Sequence, residues 1–227
     1  MDVEYPYADG LSRRQLLYRL PSTPLPRRLL LVSDAADSDL IGGGWGGPVT
    51  VLTSSELDAT LAQGAARFDA VAMPWVLGFG AAPGARRPRG SQLLCSARRL
   101  LVPGGVVVGH LENIRTLRRL ASLRGLREIA GAAARRGAIG SASGCEQALL
   151  RAGFTAPECY YVQPSIDSPM GLIPCEAVPA RAHFLRMIRS AQGHYSRPAY
   201  AMRLVVAYLG LAGMQQPELF FWARNSC

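Results

Sequence analysis

Short apolar runs along this chain alternate with longer stretches in which apolar residues recur at helical spacing, a pattern that predicts an α/β fold. Arg28–Ser33 (RLLLVS) is a continuous apolar run, as in a parallel strand covered on both faces. Further strands are predicted over Val49–Thr53 and over Phe68–Trp75 (FDAVAMPW), the latter entered through Asp69. Between them, the Ser-Ser-Glu-Leu-Asp pattern from Ser54 predicts a capped helix. After a Gly, Ala, Pro and Arg-rich loop over Leu77–Gly90, Ser91–Leu101 reads as a helix. It runs into a Pro-Gly-Gly turn, a valine strand and a polar cluster of His110, Glu112 and Asn113.

Arginine-rich helical segments are predicted next, over Asn113–Leu126 and Ile129–Arg136, followed by a helix over Cys145–Ala152 that Gly153 stops. A strand over Ala156–Gln163, helices over Ala180–Ser190 and 199–212, and a last strand over Glu218–Arg224 complete the pattern. Upstream, Leu11, Leu16, Leu17 and Leu20 predict an amphipathic helix over 10–20, and PSTPLP reads as a linker. The predicted organisation is an N-terminal helix and proline-rich linker over 1–27, then one α/β domain over 28–227.

Composition narrows the classes. A chain of 227 residues, 49% hydrophobic, is long enough for one well-buried core. No apolar run approaches the roughly eighteen residues that a membrane span needs. The opening MDVEYPYADG lacks the basic start and apolar run of a secretory signal, so a cytoplasmic location is expected. The net charge of +9 rests on 25 basic residues, every one an arginine. They are scattered in pairs and not gathered with aromatics on one segment, which argues against nucleic-acid binding. Five well-separated cysteines have neither disulfide-framework nor zinc-site spacing, so reduced thiols and no metal are expected.

Three segments resemble class I S-adenosylmethionine-dependent methyltransferases: LLVPGGVVVGHLEN at 100–113, FDAVAMPWVL at 68–77, and ALLRAGFTAPECYYVQPS at 148–165. The resemblance implies a Rossmann-like sheet, mostly parallel with a C-terminal antiparallel hairpin and helices on both faces. It also implies S-adenosylmethionine (SAM) as cofactor and a small-molecule or peptide acceptor. Within that frame, His110 is the candidate general base, with Glu112 orienting it, because an O or N acceptor must shed a proton. Asn113, Tyr160 and Tyr161 are candidate acceptor contacts.

The cofactor motif departs from the family. The resemblance implies an acidic residue and a Gly-x-Gly-x-Gly turn after the first strand, letting backbone approach the cofactor where a Cβ would block it. Here Ser33 and Asp34 follow the strand, and the glycines come late, as Gly42, Gly43 and Gly44 before Trp45. The family's ribose-binding acid at the end of the second strand is replaced by Thr53, with Glu56 three residues further on. Pro74 and Trp75, ending the third strand, complete the cofactor-side set. Two readings of this set stay open. Asp34 and the glycine–tryptophan loop form a variant site with Trp45 stacking on the cofactor, or the loop is a surface segment and Glu56 serves only as a capping-box partner of Thr53.

The functional expectation is methyl transfer from SAM to an O or N acceptor in a biosynthetic pathway. The alternative is a catalytically inactive relative acting as a binding or scaffolding subunit with a protein partner, and a different nucleotide-binding α/β enzyme is a third class. A chain without lysine has no Walker phosphate loop, and no Gly-x-Ser-x-Gly elbow occurs.

Overall fold

The structure, a computed structural model, describes residues 28–33, 48–62, 67–74, 90–114, 116, 139–163, 169 and 171–226. Its framework is one seven-stranded sheet. The strands are β1 (Leu29–Val32), β2 (Val49–Leu52), β3 (Phe68–Pro74), β4 (Leu101–Glu112), β5 (Phe154–Gln163), β6 (Gly171–Pro174) and β7 (Glu218–Asn225). The helices are α1 (Leu57–Ala62), α2 (Gly90–Leu100), α3 (Ala142–Arg151), α4 (Ala177–Ser190) and α5 (Arg197–Tyr208).

Across the sheet the order is β2-β1-β3-β4-β7-β5-β6. The β1–β2, β1–β3 and β3–β4 pairings are parallel, while β7 runs antiparallel to both β4 and β5, and β6 antiparallel to β5. Five of the seven strands therefore share one direction, and β5 with β7 forms the expected antiparallel pair near the C-terminus. The chain steps from β1 out to β2 and then returns to place β3 on the other side of β1. That reversal makes the carboxyl ends of β1 and β3 the topological switch point, where open parallel sheets bind ligands.

Both faces of the central strands are buried. On one face Leu57 of α1, Leu93, Leu94 and Ala97 of α2, and Cys145 and Leu149 of α3 pack against Leu30, Val71, Val107 and Phe221. On the other lie Leu29, Leu31, Ala70, Ala72, Val108 and Phe220, a cluster drawn only from strands among the described residues. Double-sided burial explains the unbroken apolar runs of β1 and β3, because alternation disappears when neither face meets water. A smaller cluster joins Ile173 of β6 to Phe184 and Ile188 of α4 and Ala207 of α5.

Several elements differ from the sequence pattern. The Pro-Gly-Gly turn is not a loop between α2 and β4; it is a bulge within β4, where pairing with β3 jumps from Phe68–Leu101 to Ala70–Val106. Gly104 adopts φ +78 there, a conformation that favours glycine. Helix α3 starts three residues before the predicted Cys145, because the Ser141 side chain caps it by accepting the Gly144 N–H at 3.2 Å. Asn113, Ile114 and Thr116 are not helical, although a helix was expected from Asn113; the remainder of that segment and the predicted helices at 10–20 and 129–136 lie outside the described residues. β6 was not expected. A four-residue edge strand bounded by glycine and proline has the composition of a loop, and only its pairing with β5 makes it a strand.

Asn225 closes the bottom of the sheet. Its Nδ2 donates to the carbonyls of Arg98, Leu101 and Val102 at 3.4, 3.3 and 3.2 Å, joining the last turn of α2, where carbonyls lack helical partners, to the start of β4. Asn225→Ala strands buried carbonyls and is expected to lower stability by about 1–3 kcal/mol. Urea denaturation monitored by circular dichroism measures this, and a loss below about 0.5 kcal/mol, the range of an ordinary surface change, would contradict it.

Candidate active site at the carboxyl ends of the strands

Four strands deliver polar or special residues to one end of the sheet. Ser33 follows β1, Thr53 follows β2, Pro74 ends β3, and Glu112 and Asn113 end β4. Ser33 is buried, and its N–H donates to the Leu52 carbonyl at 2.9 Å, which holds the ends of β1 and β2 together. Ser33 and Pro74 flank the switch point. Asp34, Gly42, Gly43, Gly44, Trp45 and Trp75 lie outside the described residues.

At the end of β2, Glu56 reaches back to Thr53 ahead of α1, the carboxylate half of a capping box, while the Thr53 carbonyl accepts the Glu56 N–H at 3.2 Å. Glu56 Oε2 accepts both the Thr53 N–H and the Thr53 hydroxyl, each at 2.8 Å. The backbone N–H first, and the hydroxyl second, hold the Glu56 carboxyl below its ordinary range. A group whose folded pKa is depressed stabilises the fold above its unfolded pKa, and this contribution is lost as pH falls through the folded value. The parent and Glu56→Ala should therefore differ in denaturation midpoint at neutral pH and converge well below about pH 4.3, the usual glutamate value. A gap that persists unchanged into acid would disprove the assignment.

His110 lies wholly inside the protein, on the β4 side that carries Val108 and away from α1, α2 and α3. Its register partners are Pro74 on β3 and Phe220 on β7; Phe220 pairs in turn with Tyr160 on β5, and Tyr160 with Pro174 on β6. One row thus crosses five strands, with the Phe220 ring between His110 and Tyr160. Two strand spacings put the two backbones about 10 Å apart. Glu112 is two residues beyond His110 on the same side and sits opposite Glu218 of β7.

Tyr160 and Tyr161 are adjacent in sequence and separated by the sheet. Tyr160 shares the His110 side, and its hydroxyl donates to Glu158 Oε2. Burial first, and then the Glu158 carboxylate, push the Tyr160 pKa far above its ordinary value, so the phenol keeps its proton and acts only as a donor or acceptor. Tyr161 points to the opposite side, where it packs against Phe184 of α4 with ring centroids 6.4 Å apart and against the backbone of Gly213. Burial and the neighbouring Cys175 raise its pKa to about 12. Asn113 is taken up in the scaffold: its Nδ2 donates to the carbonyls of Gly213 and Gln216 at 3.3 and 3.0 Å, and its N–H to Pro217 at 2.7 Å. These bonds tie the end of β4 to the segment that leads into β7.

The structure therefore brings Ser33, Thr53, Glu56, Pro74, His110, Glu112, Asn113 and Tyr160 to the sheet's ends and one of its faces, and turns Tyr161 away. Phe220, Trp222 and Glu218, which join His110 and Tyr160 there, were not singled out from the sequence. Their strand reads ELFFWARN, apolar on both sides, so nothing local marks one side as belonging to a site. Among the described residues there is no group of three or more His, Cys, Asp or Glu arranged to hold a metal ion. No described helix is long and apolar enough to cross a membrane.

No family model matches this sequence, and no curated protein matches it significantly. Among solved structures, the fold is similar to a SAM-dependent methyltransferase from Archaeoglobus fulgidus, at 12% identity and TM-score 0.48, covering 93% of this chain and 94% of that one. It is also similar to a SAM-dependent methyltransferase from Thermotoga maritima, at 10% identity and TM-score 0.47, covering 93% and 88%, and to the [4+2]-cyclase SpnF, at 15% identity and TM-score 0.48, covering 94% and 80%. Alignments this loose transfer neither a residue nor an activity.

Proposed function

We propose that this protein transfers a methyl group from SAM to an O or N atom of a small-molecule or peptide acceptor. The observation that carries the reading is the placement of polar residues along the sheet: the switch point lies between Ser33 and Pro74, and His110 stands one strand further on. Ser33, Thr53, the exposed Glu56 carboxylate and Pro74, at the ends of β1, β2 and β3, are the described residues that would hold the cofactor, with Asp34, Trp45, Trp75 and the glycines 42–44 as the remaining candidates. The cofactor supplies an electrophilic methyl on a sulfonium. The chain's own work is to align the acceptor, mainly a proximity effect, and to take up its proton at the His110 imidazole. Glu112 positions His110, and Tyr160 offers a protonated hydroxyl on the acceptor side.

A second reading is favoured by the state of Glu56 and His110. Glu56 Oε2 already serves Thr53, and His110 has no exposed surface. Both fit a chain that keeps the fold without the chemistry and works as a binding or scaffolding subunit.

Calorimetric titration with SAM and S-adenosylhomocysteine separates the two. Binding in the micromolar range, about −8 kcal/mol, supports the transferase reading and leads to a panel of hydroxyl and amine acceptors. Absence of binding at millimolar ligand rejects it in favour of the scaffold.

A further inference from the structure

Helix α5 is apolar on two opposite sides. Its inner side, including Leu204 and Ala207, packs in the cluster with Phe184 and Ile188 of α4. Its outer side presents Met202 (68% exposed), Val205 (56%) and, just past its end, Leu209 (67%), spaced i, i+3 and i+7. With Val178 and Tyr208, the α4–α5 hairpin holds five of the seven large apolar side chains exposed among the described residues. Single exposed apolar residues are ordinary, whereas a helix apolar on both sides is one that is covered on both sides.

The charge around this stripe indicates what covers it. From Ala177 to Pro217 the chain carries five arginines and no acidic residue. Tyr208 holds two of them beside the stripe: the Arg181 guanidinium lies 5.3 Å over its ring, and Arg189 Nη2 donates to its hydroxyl at 3.0 Å. A second copy docking through the same face would set these cations against their own equivalents, because a twofold contact is self-complementary. The i, i+3, i+7 spacing is the seam of helix-on-helix packing, and the pinned guanidiniums suit carboxylates along one edge of such a helix.

We propose that the α4–α5 hairpin docks an amphipathic helix of a protein partner, its apolar ridge on Met202, Val205 and Leu209 and its carboxylates paired with Arg181 and Arg189. The surface is separate from the sheet ends discussed above, so this inference stands or falls independently of methyl transfer.

The test uses the full chain and a fluorescein-labelled synthetic peptide of roughly 20 residues, long enough to be helical, with a leucine ridge flanked by glutamates. A matched peptide carries lysines in place of the glutamates. Fluorescence anisotropy should give micromolar binding of the acidic peptide. M202E/L209E should weaken it at least tenfold, about 1.4 kcal/mol. Arg181→Glu should weaken the acidic peptide and strengthen the lysine peptide. These residues are exposed, so the variants should keep the parent's far-ultraviolet circular dichroism and its SAM titration. Failure of the acidic peptide to bind, or equal binding of both peptides, overturns the proposal. So does binding to phosphatidylglycerol vesicles that M202E/L209E abolishes while the acidic peptide is ignored, which would assign the face to a lipid surface. Dimerisation in sedimentation equilibrium that M202E/L209E abolishes would overturn it in favour of a second copy.

Discussion

Exchanging His110 for glutamine is expected to cut methyl-transfer turnover by about 10²–10⁴-fold, the usual worth of a positioned general base, while SAM affinity stays within about twofold. Glutamine keeps polar atoms and comparable bulk in the row between Pro74 and Phe220 but has no nitrogen that titrates near neutrality. His110→Ala would add a cavity at a position with no exposed surface, mixing lost stability with lost chemistry, so glutamine is the cleaner variant. S-adenosylhomocysteine release with an accepted substrate reports kcat, and calorimetry reports binding. A fall in kcat with binding spared marks an interaction made in the transition state. Turnover within about threefold of the parent would remove His110 from the reaction and leave it a packing residue.

Gly109→Ala is expected to cost about 3 kcal/mol, the upper end of overpacking in a sheet interior. A Cβ at this position would stand 2.6 Å from the Met73 carbonyl oxygen and 2.6 Å from the Phe221 ring. The carbonyl belongs to the neighbouring strand's backbone and the ring is fully buried, so neither yields without disturbing the β3–β4–β7 pairing. Because His110 is the next residue, the same displacement would move the imidazole. Trimming the ring tests the cause: Gly109→Ala should cost less in a Phe221→Leu background than in the parent, a coupling of about 0.5–3 kcal/mol between touching residues. Additive losses in chemical denaturation would show that the ring contact is not the origin of the strain.

Much of the candidate site was legible because strand ends leave local marks. Ser33 and Thr53 each stand where an apolar run stops, Pro74 interrupts one, and Glu56 sits three residues after Thr53 in a capping pattern whose carboxylate half the structure shows. The polar cluster at 110–113 was visible for the same reason. Tyr160 and Tyr161 look like a pair because a sequence shows adjacency, whereas a strand sends neighbours to opposite faces. Asn113 looked available for a ligand, but its amide serves carbonyls a hundred residues away.

What the chain determined by itself is its set of elements: buried parallel strands from unbroken apolar runs, helices from apolar spacing and capping residues, and a basic C-terminal helical segment without acids. These depend on interactions within a few residues. Only the tertiary structure decided that β7 enters between β4 and β5, placing Phe220 between His110 and Tyr160, that the Pro-Gly-Gly turn is a bulge inside β4, and that Gly171–Pro174 is an edge strand. The physical reason is that β7 is apolar on both faces and β6 is short and loop-like in composition. Neither pattern selects a neighbour; hydrogen bonding to strands distant in sequence does.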